Sequence, residues 1–424
     1  MSTPLEQPAR STPQRWPMMA IFAVIWGALM LTEQLSIHLL PATVREHTSS
    51  PFLISLILFL NPLFGVIAQP LVGIIGDRIW TPIGRRAFFL ITGAPIVGIC
   101  LWFIPEARFL WHIFVLVLIY QFFQDILWGS DHPLLADLFP PKQRLFVSGM
   151  LITCGQATGA IFLKFGMTNF EADELYRIVA ILQVLLVTGL SFFLNERPPD
   201  KAKLPRLTFR GYFRDLFADP TRRRFAFLYF CLSLLMNIAV FGGFLRIFAM
   251  ESLGASQEEY GDTFAVSAIG PLFLSVPMAW LVERYTSKRM AMLLGIVFLI
   301  TALSIGWTAQ SIDQIFWLAI MWGIGYMLTI VTFKPFFSEY VPKEIIGQVS
   351  GALNICWGIG RSIAIVAAGA AVEFLFDNNY RYIFPMSIVM GIASFIIAWS
   401  IPDLRYEARK AKAKGGVAAS ENSQ

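Results

Sequence analysis

One pattern of residues occurs twice in this chain, 202 residues apart and without a gap. The first copy comprises His132, Pro133, Asp137, Pro140, Val147, Ser148, Gly149 and Cys154, and the second comprises Lys334, Pro335, Glu339, Pro342, Val349, Ser350, Gly351 and Cys356. A constant spacing over this length indicates an internal duplication. We therefore predict two homologous halves that adopt the same fold.

The composition is typical of a protein that lies within a lipid bilayer. Of the 424 residues, 56% are hydrophobic and only 14% are charged, which is more apolar surface than a water-soluble core can cover. A bilayer core about 30 Å thick is crossed by a helix of roughly 20 apolar residues. Twelve such runs lie near residues 18–40, 52–75, 87–105, 110–136, 146–168, 176–195, 225–249, 262–282, 290–309, 314–337, 346–374 and 383–401. We predict an all-α membrane protein with twelve transmembrane helices in two pseudo-symmetric six-helix bundles.

A polar segment divides the two predicted bundles. It carries nine basic and four acidic residues. The predicted domains are an N-terminal six-helix bundle at 1–195, a cytoplasmic basic linker at 196–224, a C-terminal six-helix bundle at 225–402 and a cytoplasmic tail at 403–424. Within the linker, residues 211–217 have the pattern of a short amphipathic helix that lies on the membrane surface.

The basic residues predict the orientation, because loops rich in Lys and Arg remain cytoplasmic. One set of loops carries basic residues at positions 10, 15, 78, 85, 86, 142, 144, 284, 288, 289 and 343 and throughout the linker and tail, whereas the opposite set has only Arg45, Arg108, Arg177 and Arg381. We expect a multi-pass protein of the cell membrane with both termini in the cytoplasm. This bias accounts for the net charge of +5 and gives no reason to expect nucleic acid as a partner.

A charged motif follows the second apolar run. It reads Gly76-Asp77-Arg78 and then Gly84-Arg85-Arg86. An acidic side chain at a helix end can meet the positive N-terminus of a neighbouring helix, and arginines can bind carboxylates. We expect a cytoplasmic gate formed by Asp77, Arg78, Gly84, Arg85, Arg86, Asp137 and Glu339.

This motif resembles the cytoplasmic loop signature of the major facilitator superfamily, and residues 283–289 resemble a degraded second copy. Residues 61–65, 69–73 and 134–138 are similar to the signature of glycoside cation symporters of the sucrose-transporter type. The chain departs from that family at Ala87-Phe88, where an Arg and a Pro are usual, and at His132, where an Arg is usual. The resemblance implies a secondary transporter that moves a glycoside or small sugar with protons by alternating access.

Ionisable groups at membrane depth are expensive unless they face a polar interior. They are Glu33, Asp125, Asp131, Lys164, Arg246, Lys334 and Arg361. None of them lies on the third, sixth, ninth or twelfth run, so those four helices are expected to face lipid. Near the helix ends, Lys164 and Arg246 are expected to extend their charged groups outward.

Asp125 and Glu33 are the candidate proton-coupling residues. Asp125 lies twelve residues before Asp137, roughly 18 Å along a helix and so near the membrane centre. A carboxyl group at that depth can take up and release a proton as the protein changes conformation. The equivalent position in the second half is Met327, which would confine coupling to one half.

Arg361 is the candidate that meets these acids from the second half. It can pair with Asp125 or Glu33, or donate two hydrogen bonds to sugar hydroxyls; a purely structural ion pair is the alternative. The candidate substrate-binding residues are Arg361, Trp128, Trp357, Asn354 and Gln34, of which the tryptophans can stack on a sugar ring.

Other functional classes find less support in the sequence. No Gly-x-x-x-x-Gly-Lys loop occurs, so ATP is not the expected energy source. We expect no enzyme activity, no metal and no cofactor beyond a coupling proton or sodium ion, because neither a metal cluster nor a nucleophile with its base is present. A monomer that binds a small solute within the lipid bilayer is expected. The alternatives are transport of an organic acid, a peptide fragment or a drug-like compound, or a non-transporting sensor or assembly factor on the same fold.

Overall fold

The computed structural model describes residues 16–76, 79–194, 196, 209–342 and 346–403. Within these ranges the chain is helical, with short turns between the helices. Twelve helical spans can be traced, six in each half, in agreement with the predicted fold.

The first half contains spans α1 to α6. They are α1 at Trp16–His38 continued by Leu40–Arg45, α2 at Pro51–Leu58 continued by Leu60–Gly76, α3 at Ala87–Phe103, α4 at Leu110–Leu138, α5 at Pro141–Ile161 and α6 at Ala172–Leu182. A π-helical turn at Phe162–Gly166 extends α5 to Asn169, and another at Gln183–Thr188 extends α6 to Ser191.

The second half begins with a linker helix, Phe209–Phe217. The spans that follow are α7 at Pro220–Ala239 continued by Phe244–Leu253, α8 at Gln257–Tyr285, α9 at Lys288–Thr308, α10 at Ile312–Ser338, α11 at Ile346–Phe374 and α12 at Ile383–Ser400. Ten of the twelve spans are long and apolar enough to cross a membrane, counted over the described residues. Of the other two, α3 is apolar but has 17 residues, and α8 has 29 residues with Glu258 and Glu259 in its first turn.

Local signals in the sequence explain where several helices begin. Ser256 and Glu259 form a capping box at the start of α8, with the Ser256 hydroxyl accepting from the Glu259 backbone N–H at 3.1 Å. Asp219 accepts from the Arg222 backbone N–H at 2.8 Å, and Pro220 occupies the first turn of α7. Each such cap contributes about 1 kcal/mol. Because of this cap, α7 starts inside the predicted linker, five residues before the predicted boundary at 225.

The second parts of α1 and α7 meet across the halves, and the more extensive contacts come from two helix pairs, α2 with α11 and α5 with α8. The duplication relates one of these two pairs to the other, because α5 is the counterpart of α11 and α2 is the counterpart of α8. By contrast, α3, α6, α9 and α12 pack within their own halves. They expose apolar side chains such as Ile99, Leu185, Leu294 and Ile396, which agrees with four lipid-facing helices.

The bundle has two ends, which we name by their residues. The linker end contains Gly84, Arg85 and Arg86 before α3, together with the linker helix. The far end contains the turn after α1, the turn after α7 and the last turn of α11. The basic residues predict that the linker end is cytoplasmic, and this orientation stays a prediction.

Candidate functional site

The two halves are joined near the centre of the bundle by an ion pair. The Nη2 atom of Arg361 on α11 donates to Oε1 of Glu33 on α1 at 3.1 Å, and the two side chains are 21% and 16% exposed. The Nε atom of Arg361 is buried and has no hydrogen-bond partner among the described residues. This N–H group can therefore bind a further acceptor.

Carboxamide side chains surround Glu33. The Nδ2 atom of Asn61 donates to Oε2 of Glu33 at 3.2 Å and to Oε1 of Gln121 at 3.1 Å. Gln121 in turn donates to the Ser36 hydroxyl at 3.4 Å, and Ser36 shares a hydrogen bond with Tyr120. This network of α1, α2 and α4 holds the Glu33 carboxylate in place.

Asp125 faces the interior of the first half, and its partner is a glutamine. The Nε2 atom of Gln69 on α2 donates to Oδ1 of Asp125 at 2.8 Å. The other carboxyl oxygen, Oδ2, is buried without a hydrogen-bond partner in the described part of the chain. Of the two acids predicted as partners of Arg361, the structure therefore pairs Glu33 with it and leaves Asp125 with Gln69.

A small cavity of about 10 Å³ lies between the halves beside the ion pair, room for about one water molecule. Its polar lining comprises Ser36, Asn61, Gln121 and Arg361, and its apolar lining comprises Ile37, Leu40, Leu58, Phe241, Gly242 and Ile365. Phe241 lies in the interruption of α7 and its ring contacts those of Trp322 and Tyr326, with centroids 5.8 Å and 5.4 Å away. One wall is thus rich in amides from the first half, and the opposite wall is aromatic and aliphatic.

The remaining predicted binding residues lie around this centre but not in the cavity. Trp128 is buried and packs edge-on against Trp26, at 5.2 Å between centroids. Trp357 packs on Tyr229 at 4.7 Å. Both tryptophans therefore pack within their own halves.

The two predicted polar binding residues differ in position. Gln34 lies against Gly159 of α5, so it also belongs to the interior of the first half. Asn354 is exposed and lies seven residues, two helical turns, before Arg361 on α11. It therefore shares the helix face of Arg361.

The predicted gate residues meet at the linker end in two equivalent pairs. In the first half, Arg85 and Arg86 contact Asp137, the latter with 3.5 Å between Nε and Oδ2. In the second half, Nζ of Lys288 donates to Oε1 of Glu339 at 2.6 Å. Arg86 with Lys288, and Asp137 with Glu339, are each separated by the 202 residues of the duplication. Asp77 and Arg78 lie outside the described residues.

Glu196 is a residue of this region that sequence reasoning missed. Its carboxylate accepts from the backbone N–H groups of Arg85, Arg86 and Ala87 at 3.1, 3.0 and 2.6 Å, so it caps the N-terminus of α3. Gly84 makes room for it: its φ is +108°, and a Cβ there would lie 2.6 Å from a Glu196 oxygen. From the sequence, Glu196 was predicted to be the first residue of the linker.

Asn61, Gln69 and Gln121 were likewise not predicted as site residues. Each is a carboxamide within an apolar run, and that is a signal that could have found them, because buried polar groups are hydrogen-bonded. Among the described residues, no group of three or more His, Cys, Asp or Glu side chains is arranged to hold a metal ion.

Known proteins share the sequence pattern and the fold of this chain. The sequence model of the Major Facilitator Superfamily matches residues 16–248 and also residues 225–421. Among solved structures, the nucleoside transporter NupG superposes with a TM-score of 0.70 at 15% identity, covering 91% of this chain and 98% of that chain. A bacterial homolog of the human lysosomal transporter Spinster, inward-facing and unoccupied, superposes with a TM-score of 0.71 at 15% identity, covering 92% and 98%.

One curated protein is similar in sequence. The cis,cis-muconate transport protein of Acinetobacter baylyi is 26% identical over 141 residues. The match covers 33% of this chain and 32% of that protein, so the chain spans about a third of the length of this relative. The superpositions with the solved structures show a shared fold, and their 15% identity leaves the solute open.

Proposed function

The chain belongs to the major facilitator superfamily, and we propose that it transports a small sugar or glycoside by proton symport with alternating access. The observation that carries this proposal is the Glu33–Arg361 pair, which joins the two halves beside an amide-lined cavity. In a secondary transporter of this kind the solute site lies near the bilayer midplane between the repeats. A change at this pair alters the contact between the halves.

The lining of the cavity favours an uncharged, hydroxyl-rich ring. Asn61, Gln121 and Ser36 offer both donors and acceptors, and the charge of Arg361 is balanced by Glu33. The apolar wall around Phe241 suits the flat face of a sugar ring. At about 10 Å³, the cavity is far smaller than the roughly 300–1,000 Å³ typical of ligand pockets, so the halves must move apart at this site to admit a solute.

Asp125 is the proposed proton carrier. Its Oδ2 atom has no hydrogen-bond partner in the described structure, so a proton can bind there without displacing a donor. Gln69, which binds Asp125, and Asn61, which binds Glu33, both lie on α2. Protonation of Asp125 would thus alter the polar network that the solute also contacts.

An organic anion is the second candidate solute. Arg361 has a buried Nε without a partner in the described residues, and a related protein is a cis,cis-muconate transport protein. A solute carboxylate could replace Glu33 on the guanidinium, since arginine binds carboxylates through two parallel N–H groups. In that case Glu33, rather than Asp125, would be the group that is released and protonated.

Uptake by proteoliposomes separates the two candidates. The purified protein is reconstituted, a pH gradient is imposed, and accumulation of radiolabelled glucose, sucrose, a nucleoside and cis,cis-muconate is compared. We expect sugar accumulation that a protonophore abolishes and muconate does not inhibit. Accumulation of muconate without any sugar would overturn the sugar proposal in favour of the anion.

A further inference from the structure

Polar contacts close the far end of the bundle, and the charges are distributed unequally between the halves. The second half supplies three carboxylates, on α7, α8 and α11. Glu251 contacts Arg45; Asp262 contacts Lys164 at 2.6 Å and the Thr168 hydroxyl at 3.2 Å; Glu373 accepts from the Ser50 hydroxyl and from the Phe52 backbone N–H at 2.9 Å. The first half supplies the donors to these three carboxylates, whereas Gln257 of the second half donates to the carbonyl oxygens of Met167 and Phe170 at 3.2 and 2.9 Å. These contacts form the rim of the far end.

Beneath the rim, glycines of the second half touch the first half with no room for a methyl group. A Cβ at Gly261 on α8 would lie 2.5 Å from the carbonyl oxygen of Leu163 on α5. A Cβ at Gly369 on α11 would lie 2.4 Å from Cβ of Ser55 on α2. A further close contact, with 2.5 Å between a Cβ at Gly358 and Cγ2 of Val66, lies on the linker-end side of Arg361 and Asn61 and so is not part of the far end.

The third far-end contact joins the interruptions of two helices. Gly243 has a φ of +87° and ends the break in α7, and a Cβ there would lie 2.4 Å from Cγ of Pro41. Pro41 follows the break in α1 and precedes Gly243 by the same 202 residues as the duplication. Equivalent positions of the two halves therefore touch each other, which places this contact on the pseudo-symmetry axis.

We propose that these three glycines, Gly243, Gly261 and Gly369, form a steric seal that lets the far end close. Exposed ion pairs such as those of the rim contribute little to stability, whereas overlap of packed atoms is strongly resisted. The close fit under the rim therefore decides whether the halves can meet. A methyl group at any one of the three positions holds the helices apart and shifts the population toward a conformation with the far end open. This seal does not depend on which solute is carried.

The test compares Gly261→Ala with Gly270→Ala on the same helix. A Cβ at Gly270 would meet no atom within 4 Å, so this variant controls for the change in helix propensity. Spin labels are placed at Ser49 and Ser252, which are exposed at the far end of opposite halves. Cys100, Cys154, Cys231 and Cys356 are first replaced. The distance between the two spin labels is then measured by double electron–electron resonance in nanodiscs.

We expect Gly261→Ala to add a longer-distance population that is absent from the parent and from Gly270→Ala. Identical distance distributions in all three proteins would overturn the proposal. Because Gly261→Ala contacts a backbone oxygen and can impair folding, size-exclusion behaviour is compared in parallel.

A second pair of variants keeps the proposal testable if Gly261→Ala does not fold. At Gly369 the closest atoms are Cβ and Oγ of Ser55, at 2.4 and 2.5 Å. Ser55→Gly removes both atoms. Gly369→Ala alone should therefore lengthen the Ser49–Ser252 distance, and Ser55→Gly with Gly369→Ala should reduce the longer-distance population. A double variant that remains as open as the single variant would contradict a steric seal.

Discussion

At the scale of single residues, Glu33 has two partners on two different helices. Arg361 binds one carboxylate oxygen and Asn61 the other. Both ionised side chains are largely buried, so removal of one leaves the other charge without its partner. The two residues are therefore expected to be strongly coupled.

Glu33→Gln should lower the free energy of unfolding by about 1–3 kcal/mol, because the Arg361 charge stays buried and unpaired. The double variant Glu33→Gln with Arg361→Gln should regain most of the thermal stability, since no charge then remains. Uptake should be lost in both. Thermal unfolding in detergent and uptake by proteoliposomes measure the two effects; additive loss of stability in the double variant would disprove the coupling.

Asp125→Asn should abolish accumulation driven by a pH gradient and spare exchange of labelled for unlabelled solute. The asparagine keeps an oxygen for the Gln69 donor at the same position but cannot carry a proton. Asp313→Asn is the matched control, because Asp313 is an exposed acid at the start of α10. If the Asp125 variant still accumulates solute against its gradient, Asp125 is not the coupling group.

The residues of the site were predictable to the extent that they are charged. Charge within an apolar run is visible in the sequence, and so Glu33, Asp125 and Arg361 were identified as interior residues. Which acid meets Arg361 depends on the helix rotation and was left open. Arg246 was expected to extend outward, and this was wrong: it is buried at 3% exposure, bound to Gln257 at 3.1 Å and lying over the Tyr260 ring.

At the scale of helices, the start of α3 shows how the linker end is held together. Three consecutive backbone N–H groups at this helix end donate to the one carboxylate of Glu196. A negative charge at a helix N-terminus is favoured by the helix dipole as well as by these hydrogen bonds. The capping residue comes from the chain after α6, more than a hundred residues later than α3, so no local sequence rule identifies it.

Glu196→Ala should lower the free energy of unfolding by about 1–2 kcal/mol, as expected for loss of a helix N-cap. Glu106→Ala serves as the control, because Glu106 is an exposed acid whose contact with Arg177 lies on the surface. Thermal unfolding of the two variants in the same detergent gives the comparison. Equal effects of both substitutions would mean that the Glu196 contacts do not stabilise α3.

The helices themselves were largely predictable, because apolar runs of membrane length and capping residues are local signals. The start of α7 differs from its predicted position since Asp219 and Pro220 begin the helix before the apolar run does. The interruptions of α1 and α7 were not predicted from the sequence. Both breaks lie inside continuous apolar sequence, and hydrophobicity alone cannot reveal them.

At the scale of the whole molecule, the duplication explains the architecture but not the distribution of charge between the halves. The far-end acids Glu251, Asp262 and Glu373 all belong to the second half. The sequence offered no pairing for them, because their partners lie in the other half of the chain. At these three contacts the acids of the second half are complementary to donors of the first half.

This complementarity predicts the effect of reversing one rim contact. Arg45→Glu places two acids opposite each other, since it faces Glu251, and like charges at that distance should weaken closure of the far end. Arg45→Glu with Glu251→Arg restores the attraction with the charges exchanged.

Access from the far end to the central cavity is measured as the rate at which a membrane-impermeant maleimide modifies a cysteine introduced at Ile37, which lines this cavity. We expect faster modification in the single variant, a further increase at low salt, where repulsion is less screened, and return to the parent rate in the double variant. Unchanged modification in Arg45→Glu at low salt would show that the rim charges do not influence closure.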